Sequence, residues 1–179
     1  NLRDDHEFVL DIVSRIPEEL QYASANLKGS RDIVMAAASA NINKRSRRSV
    51  LQFASENLRD DHEFVLALVS KFPEELQHAS SNLKNSRAII MAAISNDHSQ
   101  FPGFIHRSSV LEHASEHLKD DFEVVLAAVS RYACELQHAS ENLKNNREIV
   151  IGAAPSQRFR CFCLLRIPFR DINIKYRKG

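Results

Sequence analysis

Three adjacent carboxylate pairs, Asp4-Asp5, Asp60-Asp61 and Asp120-Asp121, have the form of an acid–base dyad. In such a pair one charge holds the other group neutral, and the neutral carboxyl can donate a proton. His113 and His117 stand four residues apart, a spacing that sets two imidazoles on one helical face for zinc, with His106 as a third ligand. Cys134 falls at a helix start, where a thiolate is stabilised and becomes a nucleophile.

Each of these has a plainer reading, and the plainer one is stronger. The Asp pairs sit where helices begin, so capping accounts for them. A zinc helix of the HExxH type needs Glu directly after the first His, and Ala114 follows His113. Cys134 has no neighbouring base in a recognisable catalytic signature. An Ala-Ser pair recurs at Ser24, Ser55, Ser80, Ser115 and Ser140, which reads as close helix packing with a backbone hydrogen bond. There is no P-loop, dinucleotide-binding glycine pattern, nucleophile elbow or EF-hand loop. The residues therefore point to no enzyme, no metal and no cofactor.

The elements that carry these residues repeat. NLRDDHEFVLDIVSRIPEELQYAS from Asn1 returns as NLRDDHEFVLALVSKFPEELQHAS from Asn57 and as HLKDDFEVVLAAVSRYACELQHAS from His117. A related set begins at Asn26, Asn82 and Asn142. Six units of 25 residues follow, and every second join carries 6 or 10 extra residues.

Each unit reads as two short helices. The first opens at unit position four, held by Asp4, Gly29, Asp60, Asn85, Asp120 and Asn145, which are N-cap types. Three positions on, Glu7, Asp32, Glu63, Ala88, Glu123 and Glu148 are acidic in five of six cases, as a capping box or the helix dipole favours. The second opens at Pro17 or Pro73 and carries Leu20, Ala23 and Leu27 on one face, or Leu76, Ala79 and Leu83. The spacing predicts about eleven helices, roughly 4–15, 17–27, 29–40, 47–58, 60–71, 73–83, 85–96, 108–118, 120–131, 133–143 and 145–154. A unit this small cannot bury its own apolar faces, so the expected fold is all-α, an α-solenoid of stacked helical hairpins.

The shared pattern L-[KR]-x-[DNS]-x-[EDA]-[IFV]-V-[LMI], followed by E-L-Q-x-A-S, resembles the tandem helical repeats of the domain of unknown function 4116 family, over about residues 1–154. Gly29 and Ala88 depart from it. The resemblance implies the helical array and no activity.

The non-repeating segments are the candidates for partner contact. One insert carries Lys44, Arg45, Arg47 and Arg48, which suits an acidic protein, nucleic acid or an import receptor, or is a solvated loop. Arg47-Arg48-Ser49 also resembles a basophilic kinase site. The other insert carries Phe101, Phe104 and Ile105, which dock on the array itself or on a partner. The segment from 155 to 179 is basic and partly apolar, with Arg158, Arg160, Phe162, Phe169 and Tyr176. It reads as a cap, an anchor or a non-native extension.

Composition sets the outer bounds. The chain has 179 residues, 44% hydrophobic, with three Cys and no Trp. That excludes wholesale disorder and a disulfide framework, and favours a reducing, intracellular setting. No apolar run approaches the ~18 residues of a membrane span. The net charge of +1 hides a split: residues 1–154 carry 17 basic and 22 acidic side chains, and 155–179 carry seven and one. The function expected is protein binding or scaffolding, as an accessory subunit of a larger assembly. The alternative is RNA binding through 41–48 and the basic tail, with Tyr22, Phe53, His78, His113 and His138 aligned as stacking residues.

Overall fold

The computed structural model describes residues 2–41, 49–95 and 109–153, and every regular element among them is helical. The longer helices are His6–Arg15, Arg31–Asn41, His62–Val69, Arg87–Ser95, Phe122–Arg131 and Arg147–Ala153, each belonging to a different unit. Several of them pack on a neighbour in the series. His6–Arg15 lies on Arg31–Asn41, His62–Val69 on Arg87–Ser95, and Phe122–Arg131 against both Arg87–Ser95 and Arg147–Ala153. The faces they bury follow helical spacing: Val9 and Val13; Phe64, Val65, Leu68 and Val69; Val124, Val125, Ala128 and Val129.

The caps of these helices lie one residue later than the sequence suggests. Asp5, Asp61 and Asp121 are the N-caps, taking the N–H groups of Phe8, Phe64 and Val124 at 3.1, 3.0 and 3.1 Å. In the fourth unit position, Gly29, Asp60, Asn85, Asp120 and Asn145 instead end the preceding short helix. Adjacent polar residues thus serve two elements in turn.

The second helix of each unit is also different from the expectation. The predicted continuous helices over 17–27, 73–83 and 133–143 each divide in two. A 3-10 segment, Pro17–Tyr22, Pro73–His78 or Ala133–His138, stops at an extended alanine. A four-residue helix then begins, Ala25–Lys28, Ser81–Lys84 or Glu141–Lys144. The same break falls at Ala54 and Ala114. The i, i+3, i+7 apolar spacing survives the break, which is why it imitates one helix: Leu20, Leu51, Leu76 and Leu111 are wholly buried.

The recurring serine compensates for the break. Its hydroxyl oxygen accepts the N–H of Leu27, Leu58, Leu83 or Leu143 at 3.3 Å, making Ser24, Ser55, Ser80 and Ser140 N-caps. Its own N–H reaches the carbonyl at unit position three: Ser24 to Arg3 at 2.8 Å, Ser80 to Arg59 at 3.1 Å, Ser140 to Lys119 at 2.9 Å. Its O–H donates to unit position four, from Ser24 to Asp4 at 2.6 Å and from Ser115 to Asn85 at 2.7 Å, and likewise from Ser80 to Asp60 and Ser140 to Asp120. One serine thereby caps its own short helix and ties it to the segment at unit positions three and four, and helix packing alone is not its task.

Candidate functional site

The chemistry-bearing residues are distributed along the repeat and do not converge. Each Asp pair is shared between two structural jobs: the first Asp takes a serine hydroxyl and the second caps a helix. His113 is half-buried while His117 is exposed, and Cys134 is half-buried. Among the described residues no group of three or more His, Cys, Asp or Glu converges on a point that could hold a metal ion. No helix among them is long and apolar enough to cross a membrane.

One position recurs from unit to unit, a row in sequence: Phe53, His78, His113 and His138 hold it half-buried in successive units, and Tyr22 holds it exposed. Cations at unit position three stand between them: Arg59, Lys84 and Lys119, also half-buried. The groups are close enough to affect one another's charge. Burial lowers the pKa of His78, with Lys84, Arg59 and His113 adding to the effect. Burial likewise lowers that of His113, opposed by Glu112 and reinforced by Lys84, His138 and Lys119. The Lys84 ammonium is lowered by burial and donates to the Gln77 carbonyl at 2.6 Å.

Acids accompany most of these cations. Glu56 lies 3.8 Å from Arg59, and Glu116 and Glu141 pair with Lys119 and Lys144 at 2.7 Å. An open depression between Arg59 and His78 is lined also by Glu56, Asp60, Ser80 and Asn82, and the buried Nε of Arg59 has no hydrogen-bond partner there. The row therefore presents rings and matched ion pairs, with little uncompensated positive charge.

Charged side chains also link consecutive units. Arg31 reaches Asp61 and, at 3.9 Å, Glu63, while Arg87 reaches Glu123 and, at 3.9 Å, Asp121. His6 meets Asp32 at 2.7 Å. The Phe64 N–H, and then the Arg31 guanidinium, hold the Asp61 carboxyl below its ordinary range. Asp32 is lowered first by the Ser30 hydroxyl, with His6 contributing. Ala88 stands where those carboxylates stand, and His62 has Ser86 Oγ at 3.5 Å.

The most buried polar feature was not anticipated from the sequence. The Glu75 carboxylate, 1% exposed, accepts the Ser49 hydroxyl and the N–H groups of Val50 and Leu51 at 3.0 and 2.8 Å. Burial raises its pKa against the pull of those donors. Glu135, 3% exposed, accepts the Ser109 hydroxyl and the N–H groups of Val110 and Leu111, both N–H bonds at 3.0 Å. Each carboxylate caps the turn of the preceding unit from 24 to 26 residues away. The available signal was the pairing of a repeated Ser-Val-Leu with a repeated Glu.

The candidate contacts named from sequence lie outside the described residues. This holds for Lys44, Arg45, Arg47 and Arg48, for Phe101, Phe104 and Ile105, and for Arg158, Arg160, Phe162, Phe169 and Tyr176.

Comparison with known proteins agrees with the repeat pattern. The model of the family described as "Domain of unknown function (DUF4116)" matches residues 5–59, 61–102, 105–140 and 121–154. No curated protein and no solved structure matches the chain. Four overlapping or adjoining matches span the units from the first cap to the last long helix, and the chain belongs to the DUF4116 family.

Proposed function

We propose that the chain is a non-enzymatic α-solenoid of stacked helical hairpins over residues 1–154, with 155–179 as a separate tail, and that it binds a partner polypeptide along its row of rings. The observation that carries this reading is the recurrence of Phe53, His78, His113 and His138 at one half-buried position in successive units. A row with one contact per unit suits an extended segment, and half-buried rings give apolar area with a polar edge. The inserts around Lys44–Arg48 and Phe101–Ile105 and the basic tail supply further contacts. A place as an accessory subunit of a larger assembly fits such a surface.

Nucleic acid is the lesser reading. Rings and cations at regular intervals favour it. The acids beside Arg59, Lys119 and Lys144 oppose it, because phosphate binding draws on unpaired cations. Titration with generic RNA and DNA at low and moderate salt separates the two. The protein-binding reading predicts no salt-sensitive nucleic-acid complex. A complex whose affinity falls steeply with salt contradicts it. Recovery of partners with and without residues 155–179 then tests the tail as an anchor.

A further inference from the structure

One recurring polar residue has no partner in the fold. Unit position one is held by Asn26, Asn57, Asn82 and Asn142, with His117 in its place in one further unit, and all five are exposed. Among the described residues no hydrogen bond reaches the side-chain amide of any of the four asparagines. The other recurring polar residues are engaged: the serine caps a helix, the residue at position four accepts the serine hydroxyl, and the buried Glu holds three donors. Each asparagine also lies inside a four-residue helix, where alanine or glutamate is the better helix former. Its recurrence therefore has no account in folding.

Asn82 shares the open depression between two units with His78 and Arg59. The Arg59 side chain is 33% exposed, and its Glu56 contact, at 3.8 Å, is too long for a hydrogen bond. The buried Nε of the same guanidinium has no partner either. Glu56 and Asp60 at this depression offset the charges of Arg59 and of Lys84, which acts on His78 from nearby. No net positive field remains to hold a phosphate. What remains is a set of free donors on Arg59 and an amide on Asn82 that both donates and accepts. A peptide unit is neutral and carries the matching pair, one N–H and one C=O.

We infer that Asn82 and Arg59 hold the main chain of an extended polypeptide, with Asn26, Asn57 and Asn142 doing so at the equivalent points of other units, a site that rests on the ring-row reading above. The Asn82 side-chain oxygen accepts a peptide N–H, and its NH2 group donates to a peptide carbonyl. The exposed end of the Arg59 guanidinium donates to a second carbonyl, and the His78 ring packs beside the segment. Main-chain bonds supply affinity without reading sequence, and the rings select among side chains. The occupant is thus an extended stretch whose own backbone groups are unpaired, and neither a helix nor a phosphate.

The probe is a peptide of about twelve residues, long enough when extended to pass more than one helix pair. It is selected from a random library for binding the full-length chain and against the chain carrying His78→Ala, His113→Ala and His138→Ala, so that it depends on the row. Asn82→Ala is expected to weaken its binding about tenfold, as loss of a hydrogen-bonded pair does, with the thermal midpoint unchanged. Replacing single backbone amides of the peptide by esters removes one N–H at a time and leaves every side chain in place. One such ester should cost about tenfold against the parent chain and nothing further against Asn82→Ala. Unchanged affinity after both Asn82→Ala and the ester series would overturn the main-chain site and leave the ring row standing. Failure to select any row-dependent peptide would overturn the ring row and the site together. A lowered thermal midpoint for Asn82→Ala would make the residue structural, and displacement of the peptide by generic RNA would make nucleic acid the occupant; either result overturns the inference.

Discussion

Ser49 and Glu75, 26 residues apart in the chain, meet through a hydrogen bond buried between consecutive units. The same carboxylate also takes the Val50 and Leu51 N–H groups, so one side chain satisfies three donors of the neighbouring turn. Glu135 repeats the arrangement with Ser109. A buried acceptor that satisfies three donors cannot be deleted without leaving all three dry.

Glu75→Ala is therefore expected to destabilise the chain by about 3 kcal/mol, with Glu75→Gln costing less because its carbonyl still accepts. Glu74→Ala, one residue away and not fully buried, should stay within about 0.5 kcal/mol. Urea unfolding of the three variants measures the difference. Equal losses at 74 and 75 would contradict the clamp.

Gly29 interrupts the serine ladder. Its backbone, at φ −92° and ψ 0°, matches that of Asn85, which receives the Ser115 hydroxyl. A Cβ at Gly29 would lie 3.3 Å from the Asn26 carbonyl oxygen and 3.4 Å from Ser55 Oγ, close enough that the neighbours must shift slightly. Gly29→Asn supplies Ser55 with the missing partner and restricts the unfolded chain. A gain of about 1 kcal/mol in unfolding free energy is expected.

Ser140→Ala removes the cap on the Leu143 N–H and the bond to Asp120 together. The expected cost is about 1–2 kcal/mol. Asp120→Ala removes only the second bond and should cost less. The order of the two midpoints in thermal unfolding tests the dual role of the serine.

Stability should fall as pH drops below about 6.5, the ordinary histidine value. His78 and His113 have lowered folded-state pKa values, so the unfolded chain takes up protons first and is favoured as pH falls from there towards the folded values. Asp32 and Asp61 are also lowered, and their contribution is fully present at neutral pH and lost only at lower pH, from about 4 downwards. The His and Asp contributions to the unfolding free energy should thus decline in two stages across pH 7 to 3, while Glu75, raised in the folded chain by burial, contributes in the opposite direction as pH falls. The doubly substituted His78→Gln, His113→Gln chain should lose the upper stage and keep the lower.

Helices, repeat length and family were legible because they rest on apolar spacing and on residues that recur in all six units. The break at Ala23, Ala54, Ala79, Ala114 and Ala139 was not, because alanine favours helix and the leucines keep helical spacing across it. Only the tertiary bonds of the serine N–H and hydroxyl select the extended alanine. Glu75 was hidden for a similar reason. A Glu after Pro73 and Glu74 reads as an exposed first-turn acid, and its partners are 24 to 26 residues back. The ring row was visible as a column of equivalent positions, whereas its half-burial and its accompanying acids needed coordinates.

The central claim is that the ring row binds protein. The most direct measurement is affinity recovery from a native extract, before and after nuclease treatment, with the parent chain and with a chain carrying His78→Ala, His113→Ala and His138→Ala. These half-buried sites should leave the fold intact, which circular dichroism checks. The account predicts a protein partner that survives nuclease and is lost from the triple variant. Recovery that vanishes with nuclease, or that the folded triple variant retains in full, would contradict it.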